Sequence, residues 1–181
     1  YMVQSSPGEI IDLLHHHNAD IAICTEKLEH DDKLVIMPCY DWHHIAVVPK
    51  AHPLITTPIS LERLASFPLL TYLPGYTGYS NIEKTFSMAG LTLDVTLSAA
   101  DSEVIKTYVR LGLGVGIIAS KAYEPDKDQD LVALNLSHLI PPSRTKIAYL
   151  KQQYLPSYLQ YFISELLENA MMESSLECHS P

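Results

Sequence analysis

The chain has 181 residues, 47% of them hydrophobic and 18% charged, so it can bury the core of one domain or of two small lobes. It carries 12 Lys and Arg against 21 Asp and Glu, a formal net charge of −9. A surface of that sign repels a phosphate backbone, so we do not expect this chain by itself to bind nucleic acid. The uncharged stretch 64–82 is interrupted by Pro68, Pro74, Gly75 and Gly78, so no transmembrane segment is predicted.

Helix and strand patterns alternate along the chain. A capping box at Ser6 and Glu9 predicts a helix that ends near Asn18 in a left-handed residue, and a second box at Ser80 and Glu83 predicts a helix ending at Gly90. Strands are predicted over residues 20–24, 34–39, 45–48, 69–72, 95–98, 115–119 and 146–150, and further helices over 60–65, from Asp101 or Ser102 to Gly112, and from Pro156. This alternation predicts an α/β fold with mostly parallel sheets flanked by helices.

Two further features concern the loops and the thiols. The segment 124–130 is dense in charge and contains a proline, which predicts a solvated surface loop. The three cysteines, Cys24, Cys39 and Cys178, are an odd set at no disulfide-framework spacing, and two of them lie in apolar strand patterns. With no secretory leader in the pattern of the first residues, we expect reduced thiols in a cytoplasmic protein.

Ligands of open α/β sheets bind outside the carboxyl ends of strands, which indicates Thr25, the loop 71–80 and residues 98–102. The loop from Gly75 to Ser80 leads into a helix N-terminus, where free N–H groups and the helix dipole favour an anion. The alternative is that the glycines only form a turn and Ser80 only caps the helix. Because this loop contains no Lys or Arg, neutral hydroxyl, amide and indole donors would hold the anion, which suits sulfate.

Residues 39–44 bring a thiol, a carboxylate and two imidazoles together in sequence. A metal site, or a hydrolase or transferase with Cys39 as nucleophile and His43 or His44 as base, is therefore an alternative hypothesis. Neighbours on a strand point to opposite faces and zinc-type spacing is absent, which favours polar residues at a strand end. The glycines of residues 112–116 precede a strand, so they predict a turn and not a dinucleotide-binding loop.

Residues 101–119, DSEVIKTYVRLGLGVGIIA, resemble the effector-binding domain of LysR-type transcriptional regulators, and in particular its CysB/Cbl-like subgroup. The VIKTYV run is more specific to that subgroup than the general GLGVG pattern. Residues 19–26, 34–42, 52–54, 70–72 and 75–78 carry the same resemblance, which extends over nearly the whole chain to about Phe162.

The resemblance implies a type II periplasmic-binding-protein-like fold, in which two α/β lobes are joined by two crossover strands and hold the ligand between them. Lobe I would comprise residues 1–43 and 145–181, and lobe II residues 44–144. In CysB-like proteins this cleft holds sulfate or the acetylserine inducer. The matching ligand-binding residues here are Thr25, Trp42 and Thr77, with Gly78 and the following N–H groups adding the helix dipole.

The function implied is an effector sensor for a regulator of sulfur assimilation and cysteine biosynthesis. It would bind sulfate, O- or N-acetylserine or adenosine phosphosulfate, catalyse no reaction and need no cofactor or metal. The resemblance starts after a winged helix-turn-helix, a linker and the first strand and helix of lobe I, so a fragment is expected, with DNA contacted only by that N-terminal domain. A homodimer or homotetramer without membrane contact is implied. The alternative with the same fold is a solute-binding transport protein for a small anion.

Overall fold

The computed structural model describes the backbone of residues 2–25, 28 and 31–177, and the side chains of these residues as far as Ala170. Contacts divide the chain into two units, residues 1–41 with 144–181 (unit 1) and residues 42–143 (unit 2). In chain order the elements are α1 (Pro7–His15), β1 (Ala22–Cys24), β2 (Leu34–Trp42), β3 (His44–Pro49), a 3-10 turn (Pro53–Thr56), α2 (Leu61–Ala65), β4 (Leu69–Tyr72), α3 (Tyr79–Met88), β5 (Val95–Ala99), α4 (Ser102–Arg110), β6 (Val115–Ala119), a 3-10 turn (Ser120–Ala122), β7 (Leu131–Asn135), β8 (Ser143–Leu150) and α5 (Ser157–Glu177).

Unit 1 contains a three-stranded sheet in the order β1–β8–β2. Strands β1 and β8 are antiparallel, with Ala22 opposite Ala148, so the predicted parallel arrangement is wrong for this pair. The core of the unit consists of apolar residues from α1, β1, the segment between β1 and β2, β2 and β8: Leu14, Ala22, Leu28, Leu34, Ala148 and Leu150.

Unit 2 contains a five-stranded sheet in the order β5–β4–β6–β3–β7. Strand β4 is parallel to β5 and β6, as predicted, whereas β3 is antiparallel to both β6 and β7. Its strands are rich in apolar residues on both faces, as expected for a sheet covered on both sides. Fully buried residues such as Leu64, Phe86 and Ile117 form one core, and Val47, Ile105 and Val109 belong to a second.

The two units are connected at residues 41–42 and 143–144. Arg144 donates two hydrogen bonds to the carboxylate of Asp41, from Nε to Oδ1 at 2.6 Å and from Nη2 to Oδ2 at 2.7 Å. This bidentate geometry is the favoured one for an Arg–carboxylate pair. The two chain ends at which unit 1 is interrupted therefore lie side by side.

The capping box at the start of α1 is confirmed. Ser6 Oγ accepts from the Glu9 backbone N–H, and Glu9 Oε2 accepts from the Ser6 backbone N–H at 2.9 Å. These Ser6 hydrogen bonds, with one from Ser5, lower the pKa of Glu9 to about 2. The left-handed residue that follows the helix is His17, with φ 55°, and not Asn18.

The second capping box is wrong, because α3 begins at Tyr79 with Gly78 as its N-cap and without a side-chain cap. Two consecutive residues of positive φ, Thr77 at 39° and Gly78 at 71°, turn the chain into the helix before Ser80 is reached. The end of this helix is as predicted: it stops at Met88, and Gly90 has a φ of 70°.

The charged segment 124–130 is not simply a solvated loop, because Asp128 is only 1% exposed. Lys106 Nζ of α4 lies 2.8 Å from Asp128 Oδ2, and Arg110 Nη2 lies 2.7 Å from Asp128 Oδ1. Burial alone would raise the pKa of Asp128, but hydrogen bonds from Lys106, the Glu124 backbone and Arg110 outweigh it, so that the pKa is lowered. Charge density along the sequence could not show that two cations of α4 face this loop.

Cys24 and Cys39 are half-buried, whereas Cys178 lies outside the described residues. None of the helices in the described part of the chain is both long and apolar enough to cross a membrane.

Candidate anion-binding site

The carboxyl ends of β4, β5 and β6 share one edge of the unit 2 sheet, because these three strands are parallel. Strand β3 runs in the opposite direction and therefore starts at this edge, with His44 opposite Ala119 of β6. The turn from Leu73 to Gly78 follows β4 directly and leads into α3. This is the edge at which open α/β sheets bind ligands.

The turn before α3 holds Thr77 in a costly backbone conformation. Its φ of 39° is in the left-handed region, which β-branched residues rarely adopt. The Tyr76 N–H donates to the Leu73 carbonyl at 3.0 Å, and the Tyr79 N–H donates to the Tyr76 carbonyl at 2.8 Å, so the surrounding turn fixes this conformation. Strained residues of this kind concentrate at ligand sites.

Helix α3 has ten residues and presents its positive end at this turn. In its first turn, the N–H groups of Tyr79 and Asn81 donate hydrogen bonds to the carbonyls of Tyr76 and Gly78, at 2.8 and 3.0 Å respectively. Because the N-cap is a glycine, no side-chain oxygen lies in the capping position. The side chain at the entrance to the helix is the half-buried Thr77.

Gly78 is packed so closely that no side chain fits on it. A Cβ added there would lie 2.8 Å from Trp42 Cη2 and 2.9 Å from His44 Cε1, and it would overlap Ser143 Oγ. Trp42 is only 4% exposed, and its ring meets that of His44 edge-on with centroids 4.9 Å apart. The structure thus brings together three of the four predicted ligand residues, Trp42, Thr77 and Gly78, with Trp42 as the wall behind the glycine.

His44 belongs to this cluster, and the sequence analysis considered it only as a base or metal ligand. Its side chain is completely buried, and neither ring nitrogen has a well-formed hydrogen bond within the described part of the chain. Burial lowers the pKa of His44 to about 4, although a hydrogen-bonding interaction with the Thr77 backbone raises it in part, and the charge of His43 adds to the lowering. The ring is therefore neutral at pH 7. Its position as the first residue of a strand, beside Trp42, is the signal that could have indicated it.

Asn81 is a second residue that the sequence did not indicate. Its Nδ2 donates to Ser143 Oγ at 3.0 Å and to the Pro142 carbonyl at 3.2 Å. These bonds attach the first turn of α3 to the start of β8 and the residue before it, within unit 2. No sequence pattern relates positions so far apart in the chain.

Thr25, the fourth predicted ligand residue, belongs to unit 1. It is half-buried and directly follows β1, at the carboxyl end of that strand, which is the position the sequence analysis gave it. Its role as a ligand-binding residue stays a prediction.

The catalytic and metal alternatives gain no support from the geometry. The described residues contain no group of three or more His, Cys, Asp or Glu that could hold a metal ion. Cys39 Sγ donates to the Leu166 carbonyl at 4.0 Å, and burial raises the pKa of this thiol. A nucleophilic cysteine needs a lowered pKa, so the raised pKa of Cys39 does not favour a nucleophilic role.

The LysR substrate binding domain family matches residues 1–171, and the chain belongs to this family. The predicted type II periplasmic-binding-protein-like fold is confirmed by the likeness to the crystal structure of the cofactor-binding domain of the Cbl transcriptional regulator. That likeness has a TM-score of 0.86 at 40% identity and covers 91% of this chain and 72% of the Cbl chain.

Two curated relatives are transcriptional regulators of Burkholderia cenocepacia. The chain is 41% identical over 174 residues to the HTH-type regulator SsuR, covering 96% of this chain and 56% of SsuR. It is also 41% identical over 177 residues to the HTH-type regulator CysB, covering 97% of this chain and 56% of CysB. The chain therefore spans about half the length of these relatives, and the predicted CysB/Cbl-like kinship is confirmed.

Proposed function

We propose that this chain is the effector-binding part of a LysR-type transcriptional regulator of sulfur assimilation and cysteine biosynthesis. Its effector would be sulfate, O- or N-acetylserine or adenosine phosphosulfate, bound by Thr25, Trp42, Thr77 and Gly78. Kinship with SsuR, CysB and Cbl supports the regulator over a transport protein of the same fold. The observation that carries the anion site is the helix α3 N-terminus, which begins at Gly78 without a side-chain cap and directly beside Thr77.

The chemistry of the site favours an anion that brings only hydrogen-bond acceptors. The Thr77 hydroxyl is a donor, and the positive end of α3 adds a favourable field. The loop from Gly75 to Asn81 contains no Lys or Arg, and His44 is neutral at pH 7. Sulfate is fully ionised, so neutral donors can surround it without having to accept a proton from it.

The rest of the proposal concerns the longer protein. DNA would be bound by an N-terminal domain outside this chain, in agreement with the net charge of −9 of the chain itself. Such a regulator would be a cytoplasmic homodimer or homotetramer. It would catalyse no reaction and use no cofactor, and the effector would act by shifting the population of its conformations.

The test is isothermal titration of sulfate into the chain, with chloride at matched ionic strength as the reference and Trp42 fluorescence as a second signal. Thr77→Val should weaken sulfate binding about tenfold, because a hydrogen bond to a charged group contributes about 1.5–3 kcal/mol. The matched control is Thr107→Val, since Thr107 is exposed on α4 and its hydroxyl donates to its own helix.

Equal affinities of the two variants would remove Thr77 from the site. A flat titration of the unsubstituted chain with sulfate, acetylserine and adenosine phosphosulfate would refute the proposed effector class. Binding of acetylserine without sulfate would retain the sensor and change its ligand.

A further inference from the structure

Ser143 carries a buried hydroxyl that the proposed site does not use. The residue is only 3% exposed, and its Oγ accepts a hydrogen bond from Asn81 Nδ2 at 3.0 Å. A hydroxyl can also donate, but within the described part of the chain the Ser143 O–H has no acceptor. The buried Thr71 hydroxyl, by contrast, donates to the Ile117 carbonyl at 2.8 Å. Leaving a buried donor unpaired is unfavourable, so the Ser143 proton requires an explanation.

Asn81 restricts the direction in which this proton can point. The Asn81 side-chain atom that faces Ser143 also lies 3.2 Å from the Pro142 carbonyl oxygen and 3.5 Å from that of Pro141. Carbonyl oxygens can only accept, so this atom is the amide nitrogen and the Ser143 oxygen is its acceptor. Because one lone pair of Oγ is directed at Asn81, the hydroxyl proton must point away from it.

The hydroxyl lies beside the N-terminus of α3. Ser143 Oγ is against the face of Gly78, the N-cap of this helix, on which a side chain would otherwise stand. The other two nearest atoms to that face are carbons, Trp42 Cη2 and His44 Cε1, and neither can accept a hydrogen bond. Thr77 directly precedes Gly78 in the chain. The unpaired donor is therefore next to residues that are proposed to bind the anion.

We propose that Ser143 is a further ligand-binding residue of the anion site, whose hydroxyl donates a hydrogen bond to the bound anion, and that Asn81 is the positioning residue that orients this hydroxyl. The inference rests on the proposed function and adds one donor to the proposed site. Sulfate brings only acceptors, so it supplies the partner that the Ser143 O–H lacks in the chain itself. The added donor is neutral, like the Thr77 hydroxyl.

The experiment is sulfate titration and thermal unfolding of the full chain with Ser143→Ala and Ser143→Cys. Both variants should bind sulfate about tenfold more weakly, because a hydrogen bond to a charged group is removed by alanine and weakened by a thiol of similar shape. Their melting temperatures should change little, because the Asn81 amide keeps its hydrogen bond to the Pro142 carbonyl. A merely structural serine would show a lower melting temperature together with any loss of binding.

The matched control is Ser60→Ala. The Ser60 hydroxyl also accepts one hydrogen bond, from the Arg63 backbone N–H at 3.3 Å, but it caps α2 and is not part of the cluster around Gly78. Removing this cap should lower the melting temperature and leave sulfate affinity unchanged.

The role of Asn81 is tested by a double-mutant cycle with Ser143. Asn81→Ala alone should weaken sulfate binding about threefold, because the hydroxyl proton is then free to occupy all three staggered positions. In the Ser143→Ala background the same substitution should have no further effect, since no hydroxyl is left to orient. A residue that only stabilises the start of α3 would weaken binding by the same factor in both backgrounds.

Unchanged sulfate affinity in both Ser143 variants would overturn the inference. Equal factors for Asn81→Ala in the two backgrounds would overturn the positioning role of Asn81. If Thr77→Val weakens sulfate binding while the Ser143 variants do not, the proposed site stands without Ser143. A flat sulfate titration of the unsubstituted chain would instead overturn the proposed sulfate site and the inference with it, and this result appears before any substitution is made.

Discussion

At the scale of single residues, Gly78 is subject to two independent constraints. Its φ of 71° disfavours any side chain, and an added Cβ would meet Trp42, His44 and Ser143. Gly90 has nearly the same φ, 70°, but no heavy atom lies within 4 Å of an added Cβ. A comparison of substitutions at the two glycines therefore separates the cost of backbone strain from the cost of steric overlap.

We predict that Gly90→Ala lowers the free energy of unfolding by about 1 kcal/mol, the usual cost of a left-handed alanine. Gly78→Ala should lower it by about 3 kcal/mol, because side chains must also shift, as in an overpacked core. Urea denaturation of the two variants measures the difference. Equal losses of unfolding free energy in the two variants would show that the side chains around Gly78 shift without cost, and that their close packing is not needed for stability.

At the scale of secondary-structure elements, buried charges tie α4 to the segment before β7. The side chains of Lys106 and Asp128 are only 1% and 2% exposed, and Lys106 Nζ also donates to the Ala122 carbonyl at 3.0 Å. Burial alone would lower the pKa of Lys106, but the hydrogen bonds with Asp128 and Glu103 outweigh it and raise the pKa. The pair is therefore charged at neutral pH and holds the two elements together.

We predict that Lys106→Met lowers the free energy of unfolding by about 3 kcal/mol, because the buried Asp128 then loses one of its two cationic partners and keeps only Arg110. The matched control is Lys127→Met, which removes the pair between Lys127 and Glu124, whose side chains are 73% and 51% exposed. Exposed pairs of this kind contribute little, so the control should show no measurable change. Chemical denaturation at pH 7 compares the two variants. A Lys106→Met variant as stable as the unsubstituted chain would contradict the stabilising role of the buried ion pair.

At the scale of the whole molecule, the two units have separate hydrophobic cores. The core of unit 1 contains Leu14, and the cores of unit 2 contain only residues between 45 and 140. Leu14 and Phe86 are both completely buried, one in each unit. A substitution that destabilises one core should therefore destabilise its own unit first.

We predict that Leu14→Ala, with an expected loss of about 2–5 kcal/mol, accelerates amide hydrogen exchange in β1 and β8 before β4 and β6. Phe86→Ala should produce the reverse order. Hydrogen exchange followed by mass spectrometry resolves the two units. Uniform acceleration through the chain in either variant would mean that the units unfold as one cooperative body.

The sequence predicted those features that neighbouring residues determine. The Ser6–Glu9 capping box, the ends of helices at Gly90 and Gly112, and strands β4 and β6 depend on local hydrogen bonds and local backbone preferences. Thr77 and Gly78 were indicated for the same reason, since a strand end followed by a glycine turn is a local pattern.

What the sequence did not predict depends on residues far apart in the chain. Asp128 was expected in solvent because its own segment is charged, and its burial depends on Lys106 and Arg110 of another element. The place of His44 in the site depends on the pairing of β3 with β6 and on the return of the chain at Ser143. Such features require the sheet order, which no local pattern contains.

The bidentate pair of Asp41 and Arg144 has a consequence for how the chain tolerates change. Residues 42–143 are inserted into unit 1 between Asp41 and Arg144, which are paired with each other. Trp42 and Ser143, the first and last residues of the inserted segment, both pack on Gly78. Unit 2 thus has the topology of an inserted domain whose ends meet, and insertions of this kind disturb a host least. Unit 1 requires only that the two ends of the inserted residues lie side by side. The loops of unit 2 can therefore lengthen or shorten without altering the register of β8 against β1.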